Sequence, residues 1–294
     1  MSISAYLRSE ADAALEAALS DRRSELERPR IVVQRPGTRN PEPGVLTHEA
    51  LPRVLAALEV VGCCLLIGPS GCGKSRLVED AGKALGYEEP GGFEPITLSE
   101  GVGEHHLLGR VLPSEDGRWN FQPGPVTRAY ESGGLLFLDE LDAAEPNAIL
   151  SLNSALSGDL LPLPMRGNPA KRHEKFLYAG AMNTKGLGAD GLHSGRRGQD
   201  AAMLNRFTGA KVMVGYDRAL EIRLAERYLE PGKAKRVVDF VDGLRCRIER
   251  DDLPRVASTR LVERMAMMLA AGLPWDEVTN YERCDWDEDG TALA

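Results

Sequence analysis

A chain of 294 residues, 43% of them hydrophobic, is long enough for one large buried core or two modest ones. No apolar run approaches the ~18 residues of a spanning helix, and Met1-Ser2-Ile3-Ser4 lacks a basic segment followed by an apolar one, which points to a cytoplasmic protein with no membrane partner. A net charge of −8 opposes a general role on a phosphate backbone and leaves nucleic acid a secondary candidate; five cysteines without a Cys-x-x-Cys pair imply neither zinc nor a disulfide framework.

In chain order, Leu7, Ala11, Ala14, Leu15, Ala18 and Leu19 recur on one face and predict an amphipathic helix over about Ala5 to Glu27. Arg30 to Gly44 has the proline and glycine content of a linker, with a short extended piece at Ile31-Val32-Val33. The apolar run Cys63-Cys64-Leu65-Leu66-Ile67 then reads as a buried strand, and Leu77, Val78, Ala81, Ala84 and Leu85 as a helix. Between them stands Gly68-Pro69-Ser70-Gly71-Cys72-Gly73-Lys74-Ser75, a complete G-x-x-x-x-G-K-[ST] loop. Strand before and helix after are the context this motif requires. Its glycines let backbone N–H groups turn toward phosphates, the helix start adds its dipole, Lys74 reaches the β- and γ-phosphates, and the Ser75 hydroxyl ligates Mg²⁺. Gly68 to Ser75, with Arg76 next to them, are therefore the expected binding residues for a nucleotide's phosphates.

Leu135-Leu136-Phe137-Leu138 reads as a central parallel strand that delivers Asp139 and Glu140 to its carboxyl end. There Asp139 would hold the metal opposite Ser75, while Glu140 would polarise the attacking water as general base. Ala148 to Leu156 predicts a helix, and Phe176 to Thr184 an apolar strand carrying Asn183, an amide able to bond the γ-phosphate or the water. From Tyr216 onward the pattern is helical over Ala219 to Leu229, Ala234 to Arg250 and Thr259 to Ala271, with Met265, Met267 and Met268 expected as core filler. The acidic cluster from Asp285 to Asp289 reads as a solvated tail. His105 and His106, with no spaced third ligand, read as solvated or capping residues.

The stretch Gly103-Glu104-His105-His106-Leu107-Leu108-Gly109-Arg110, followed by Phe121-Gln122-Pro123-Gly124-Pro125, resembles the MoxR-type AAA+ ATPases. That resemblance implies an α/β P-loop NTPase core with a central parallel sheet, an insertion hairpin in the core's second helix with its tip at Ser114 to Trp119 facing a ring's pore, and a carboxyl-terminal α-helical lid. The segment from Thr184 to Phe207, with its Gly186-Leu187-Gly188 and Gly191-Leu192, is most similar to the cobaltochelatase ATPase subunit. By the same resemblance Arg206 matches an arginine finger acting on a neighbouring subunit, with Arg196 and Arg197 as rivals, and Arg260 matches the lid arginine that touches the γ-phosphate. The implied division is an N-terminal helix and linker over 1–45, a nucleotide-binding core over 46–214 and a helical lid with acidic tail over 215–294. The implied activity is hydrolysis of ATP with Mg²⁺ by a homo-oligomer, expected to be a hexamer, that remodels a protein partner, often one with a von Willebrand A domain. Two alternatives stay open: a motor or switch on nucleic acid, and the ATPase subunit of a cobalt chelatase.

Overall fold

Short strands that are apolar on both faces, such as Cys63–Ile67 and Leu135–Leu138, can be buried only at the centre of a layered α/β structure. The computed structural model, which describes residues 46–88, 91–99, 101–115, 117–183, 201–251, 253 and 255–281, has that arrangement. The expected helix over Ala5 to Glu27, Ile31-Val32-Val33, the stretch from Thr184 through Arg196 and Arg197, and the acidic cluster after Asp285 lie outside the described residues.

Helix α1 (Leu51–Val61), which is not among the expected elements, leads into β1 (Cys63–Ile67), and α2 (Lys74–Ala84) follows the phosphate loop; β1 and α2 fall where the hydrophobic pattern puts them. Next come β2 (Phe93–Thr97), the single turn α3 (Glu104–Leu107), β3 (Gly109–Pro113), β4 (Trp119–Pro123), α4 (Pro125–Ser132) and β5 (Leu135–Asp139). Helix α5 (Pro146–Ser157), the two-residue strands β6 (Leu160–Leu161) and β7 (Ala170–Lys171), β8 (Leu177–Met182), α6 (Ala201–Asn205) and β9 (Lys211–Met213) complete this half. The main sheet runs in the order β2-β5-β8-β1-β9, with every pairing parallel.

Successive residues of β1 and β5 alternate between two buried layers. Cys63, Leu65 and Ile67 of β1 join Leu136 and Leu138 of β5 on one side. Cys64 and Leu66 join Leu135, Phe137, Ala179 and Ala181 on the other. This two-sided burial is why neither strand shows a polar alternation.

Beside the sheet, β3 and β4 pair antiparallel, and the Ser114 amide donates to the Arg118 carbonyl at 2.8 Å to close the turn of the hairpin. The Leu-Leu-Gly-Arg and Pro-Gly-Pro motifs meet at its base. A Cβ on Gly124 would lie 2.3 Å from the Leu107 carbonyl oxygen, so only glycine lets the two chain segments cross there. His106 Nδ1 accepts from the Gly103 amide at 3.2 Å, a capping role, and no group of three or more His, Cys, Asp or Glu residues able to hold a metal occurs among the described residues.

The carboxyl-terminal helices α7 (Arg218–Ala225), α8 (Pro231–Arg250), α9 (Thr259–Ala270) and α10 (Trp275–Tyr281) enclose a third apolar cluster containing Val237, Val241, Val262 and Met265. Two expectations need correction here. Helix α7 ends at Ala225 rather than Leu229, since Pro231 sits at the start of α8 and the intervening residues form its turn. Met267 is 48% exposed; it lies two residues from the buried Met265, about 200° around the helix, so both cannot face the core. No helix among the described residues is long and apolar enough to cross a membrane.

Cys63, Cys64 and Cys72 are buried, and burial pushes their thiols up, Cys64 to about 12, whereas Cys246 is exposed. A thiolate-selective reagent at pH 8 should therefore label Cys246 quickly and these three only after denaturation, as read by peptide mass mapping.

Candidate functional site

Parallel strands place their carboxyl ends on one edge, and register decides which residues meet there. Ile67 is level with Met182, and Leu138 with Gly180. The phosphate loop after β1, Asp139 and Glu140 after β5, and Asn183 after β8 thus emerge side by side, with β8 between the other two strands.

Lys74 is buried to 6% exposure, and its ammonium donates to the carbonyls of Gly68 at 2.8 Å and Pro69 at 2.9 Å and to Asn183 Oδ1 at 2.8 Å. The Ser75 hydroxyl donates to Asp139 Oδ2 at 2.6 Å. The other carboxylate oxygen, Asp139 Oδ1, accepts from the Glu140 amide at 2.9 Å. Glu140 has φ 54°, the one non-glycine residue with positive φ among those described. A left-handed glutamate costs on the order of 1–2 kcal/mol, and it turns the chain sharply at the sheet edge. Behind it, the fully buried Asp142 accepts from the Asn183 amide at 3.1 Å and so ties the ends of β5 and β8 together.

These groups open onto a cavity of about 430 Å³ lined by Ser70 to Leu77, Asp80, Asp139, Glu140 and Asn183. This lies within the ~300–1,000 Å³ of small-molecule sites. Leu46, His48, Leu220, Leu224 and Arg227 form an extension of the same cavity, and Thr259, Arg260 and Glu263 bring in the start of α9. Arg260 is exposed on that wall; Arg76 also lines the cavity, and its guanidinium pairs with Asp80 at 3.0 Å on its own helix.

Arg206 is not in this group. Its carbonyl accepts from the Cys63 thiol at 3.5 Å and the Tyr178 hydroxyl at 3.1 Å, at the amino-terminal end of β1. The phosphate loop follows the opposite end of that five-residue strand, roughly 16 Å away at ~3.3 Å per residue. Its Nε is buried without a hydrogen-bond partner among the described residues.

The apolar wall from Leu46, Leu220 and Leu224, together with His48, went unnoticed at the level of sequence. Leu220 and Leu224 carry a weak signal in their i,i+4 spacing on α7. His48 carries none, because its ring contact, Nε2 to the Gly215 carbonyl at 3.0 Å, spans 167 residues.

Residues 64–207 match the family described as AAA domain (dynein-related subfamily). The chain is 30% identical over 222 residues to the denitrification regulatory protein NirQ of Pseudomonas aeruginosa, an alignment covering 71% of this chain and 76% of that protein. The chain belongs to the MoxR-like AAA+ ATPases. Protein NorQ of Paracoccus denitrificans is 26% identical over 219 residues, covering 72% of this chain and 75% of NorQ. Protein CbbQ of Hydrogenophilus thermoluteolus is 31% identical over 121 residues, covering 40% and 43% respectively. In fold, the chain is similar to NtrX from Brucella abortus, solved with ADP, with a TM-score of 0.50 and 16% identity over 92% of this chain and 60% of that one.

Gly71 offers a direct check on the site's construction. It has φ +72°, and a Cβ added there would lie 2.3 Å from the Cβ of Ser258, at the start of α9. Gly71→Ala should lower unfolding stability by about 1–3 kcal/mol in a urea titration.

Proposed function

We propose that this chain is a Mg²⁺-dependent ATPase of the cytoplasm that works as a ring, probing or remodelling a protein partner with the energy of hydrolysis. The contact between Ser75 and Asp139 at 2.6 Å supports this reading most: an alcohol and a carboxylate, one from each nucleotide motif, converge beside a phosphate loop on one wall of the cavity. A hydroxyl, a carboxylate and phosphate oxygens are the hard oxygen donors that suit Mg²⁺. When bound, the ion would neutralise charge building up between the β- and γ-phosphates.

In this reading the ammonium of Lys74 exchanges a carbonyl partner for phosphate oxygens, and the loop amides hold the phosphates against the start of α2. Asn183, whose backbone N–H is already held by the Asp142 carboxylate, orients the water. Oxygen of that water bonds to the γ-phosphorus, the bond from the γ-phosphorus to the bridging oxygen breaks, ADP leaves with the electron pair, and the water's proton passes to the Glu140 carboxylate. Arg260 meets the γ-phosphate from a lid over 215–294 that covers a core over 46–214.

Arg206 completes the site from a neighbouring copy, because its own phosphate loop lies beyond the far end of β1. A ring follows from that requirement, and hexamers are the form we expect. Kinship with NirQ and NorQ supports action on a partner protein, with a von Willebrand A domain as the candidate recognition unit. Most of the stretch that resembles the cobaltochelatase subunit, Thr184 to Phe207, lies outside the described residues.

Glu140→Gln should keep ATP affinity while slowing phosphate release roughly 10²- to 10⁴-fold in a single-turnover assay. Turnover at the wild-type rate would dismiss Glu140 as the base. Lys74→Ala and Arg206→Ala should each be inactive alone, yet a mixture of the two should recover part of the activity, because some seams then join an intact loop to an intact arginine. No recovery on mixing would argue against an arginine acting between copies.

A further inference from the structure

Two carbonyls of the phosphate loop are gripped from outside the loop. The Tyr216 hydroxyl donates to the Ser70 carbonyl at 2.9 Å, and the Thr259 amide donates to the Gly71 carbonyl at 3.1 Å. In a planar trans peptide the C=O and the following N–H point in opposite directions. Fixing Ser70 O therefore aims the Gly71 N–H, and fixing Gly71 O aims the Cys72 N–H, the kind of donor that receives phosphate oxygens in such a loop.

Both grips depend on one buried ion pair. Glu221 on α7 is fully buried and receives Arg245 of α8 through both carboxylate oxygens, at 2.6 and 2.8 Å. The same Glu221 accepts the Thr259 hydroxyl at 2.6 Å, which fixes the residue whose amide holds Gly71. The guanidinium of Arg245 lies 3.6 Å from the centroid of the Tyr216 ring, which fixes the residue whose hydroxyl holds Ser70. Burial raises the Tyr216 hydroxyl to about 12, so it stays protonated and able to donate throughout the physiological range.

We infer that Tyr216 and Thr259, clamped by the Arg245–Glu221 pair, are positioning residues that set the phosphate-facing peptides of the loop, so that triphosphate affinity is set partly from the carboxyl-terminal helices. This rests on the ATPase reading of the cavity. Tyr216 acts through a loop peptide, and Thr259, which also lines the cavity, holds Gly71 through its backbone amide.

Tyr216→Phe isolates the effect, because it removes the donor and keeps the ring under Arg245. Titration of ATP and of adenosine into the full-length native and variant proteins separates the outcomes. The expected result is ATP affinity weaker by roughly 2- to 10-fold, the worth of one neutral hydrogen bond, with adenosine affinity unchanged. Arg245→Lys, which keeps the charge but loses the two-pronged contact, should show the same selective loss. Equal weakening of both ligands, or of neither, would overturn the inference while leaving the ATPase reading intact. Failure of the native protein to bind ATP would overturn both.

Discussion

A buried ammonium must be met by acceptors, and the core of this site is arranged around meeting one. Lys74 draws two carbonyls of its own loop and the side chain of Asn183 to a single point. Without those partners the charge could not sit at 6% exposure, since burying an unpaired cation costs several kcal/mol. The same three contacts fold the loop back over the start of α2 and pin the end of β8 to it. Strand order supplies the rest: because β8 lies between β1 and β5, Asn183 just after it reaches the lysine with its side-chain oxygen and, with its backbone N–H on Asp142, the turn after Asp139.

What could be read from the chain alone follows from how local each signal is. Fully apolar strands, a glycine-rich loop and a pair of acids after an apolar run are contiguous patterns, so β1, β5 and the residues flanking the cavity stood out. The architecture, a parallel sheet carrying helices, is the one those patterns require. Residues contributed by distant segments did not stand out. Glu49 donates its amide to Asp217 across 168 positions, and Tyr216 reaches Ser70 across 146; neither partner has a spacing that announces it. The pairing of Glu221 with Arg245 joins two helices whose charges, taken separately, look like ordinary solvated faces.

Aromatic packing links the elements around Arg206 to the core. Tyr130, Phe176, Tyr178 and Phe207 form a continuous series with centroid separations of 5.2, 6.1 and 5.4 Å. Within that series Tyr178 places its hydroxyl on the Arg206 carbonyl, so the backbone that carries this arginine is anchored in the core. A group meant to work on a second molecule benefits from being presented on a rigid support, since less freedom is lost on contact.

Glu140 leaves an imprint on how the protein would respond to selection. Its left-handed backbone suits glycine or asparagine better than glutamate, so the backbone there is less strained with either of them. Variants screened only for thermal resistance would be drawn toward glycine at position 140, and under the proposed ATPase reading they would emerge chemically silent. A screen that also scores turnover would hold the glutamate in place, and the gap between the two populations would measure what this turn sacrifices for chemistry.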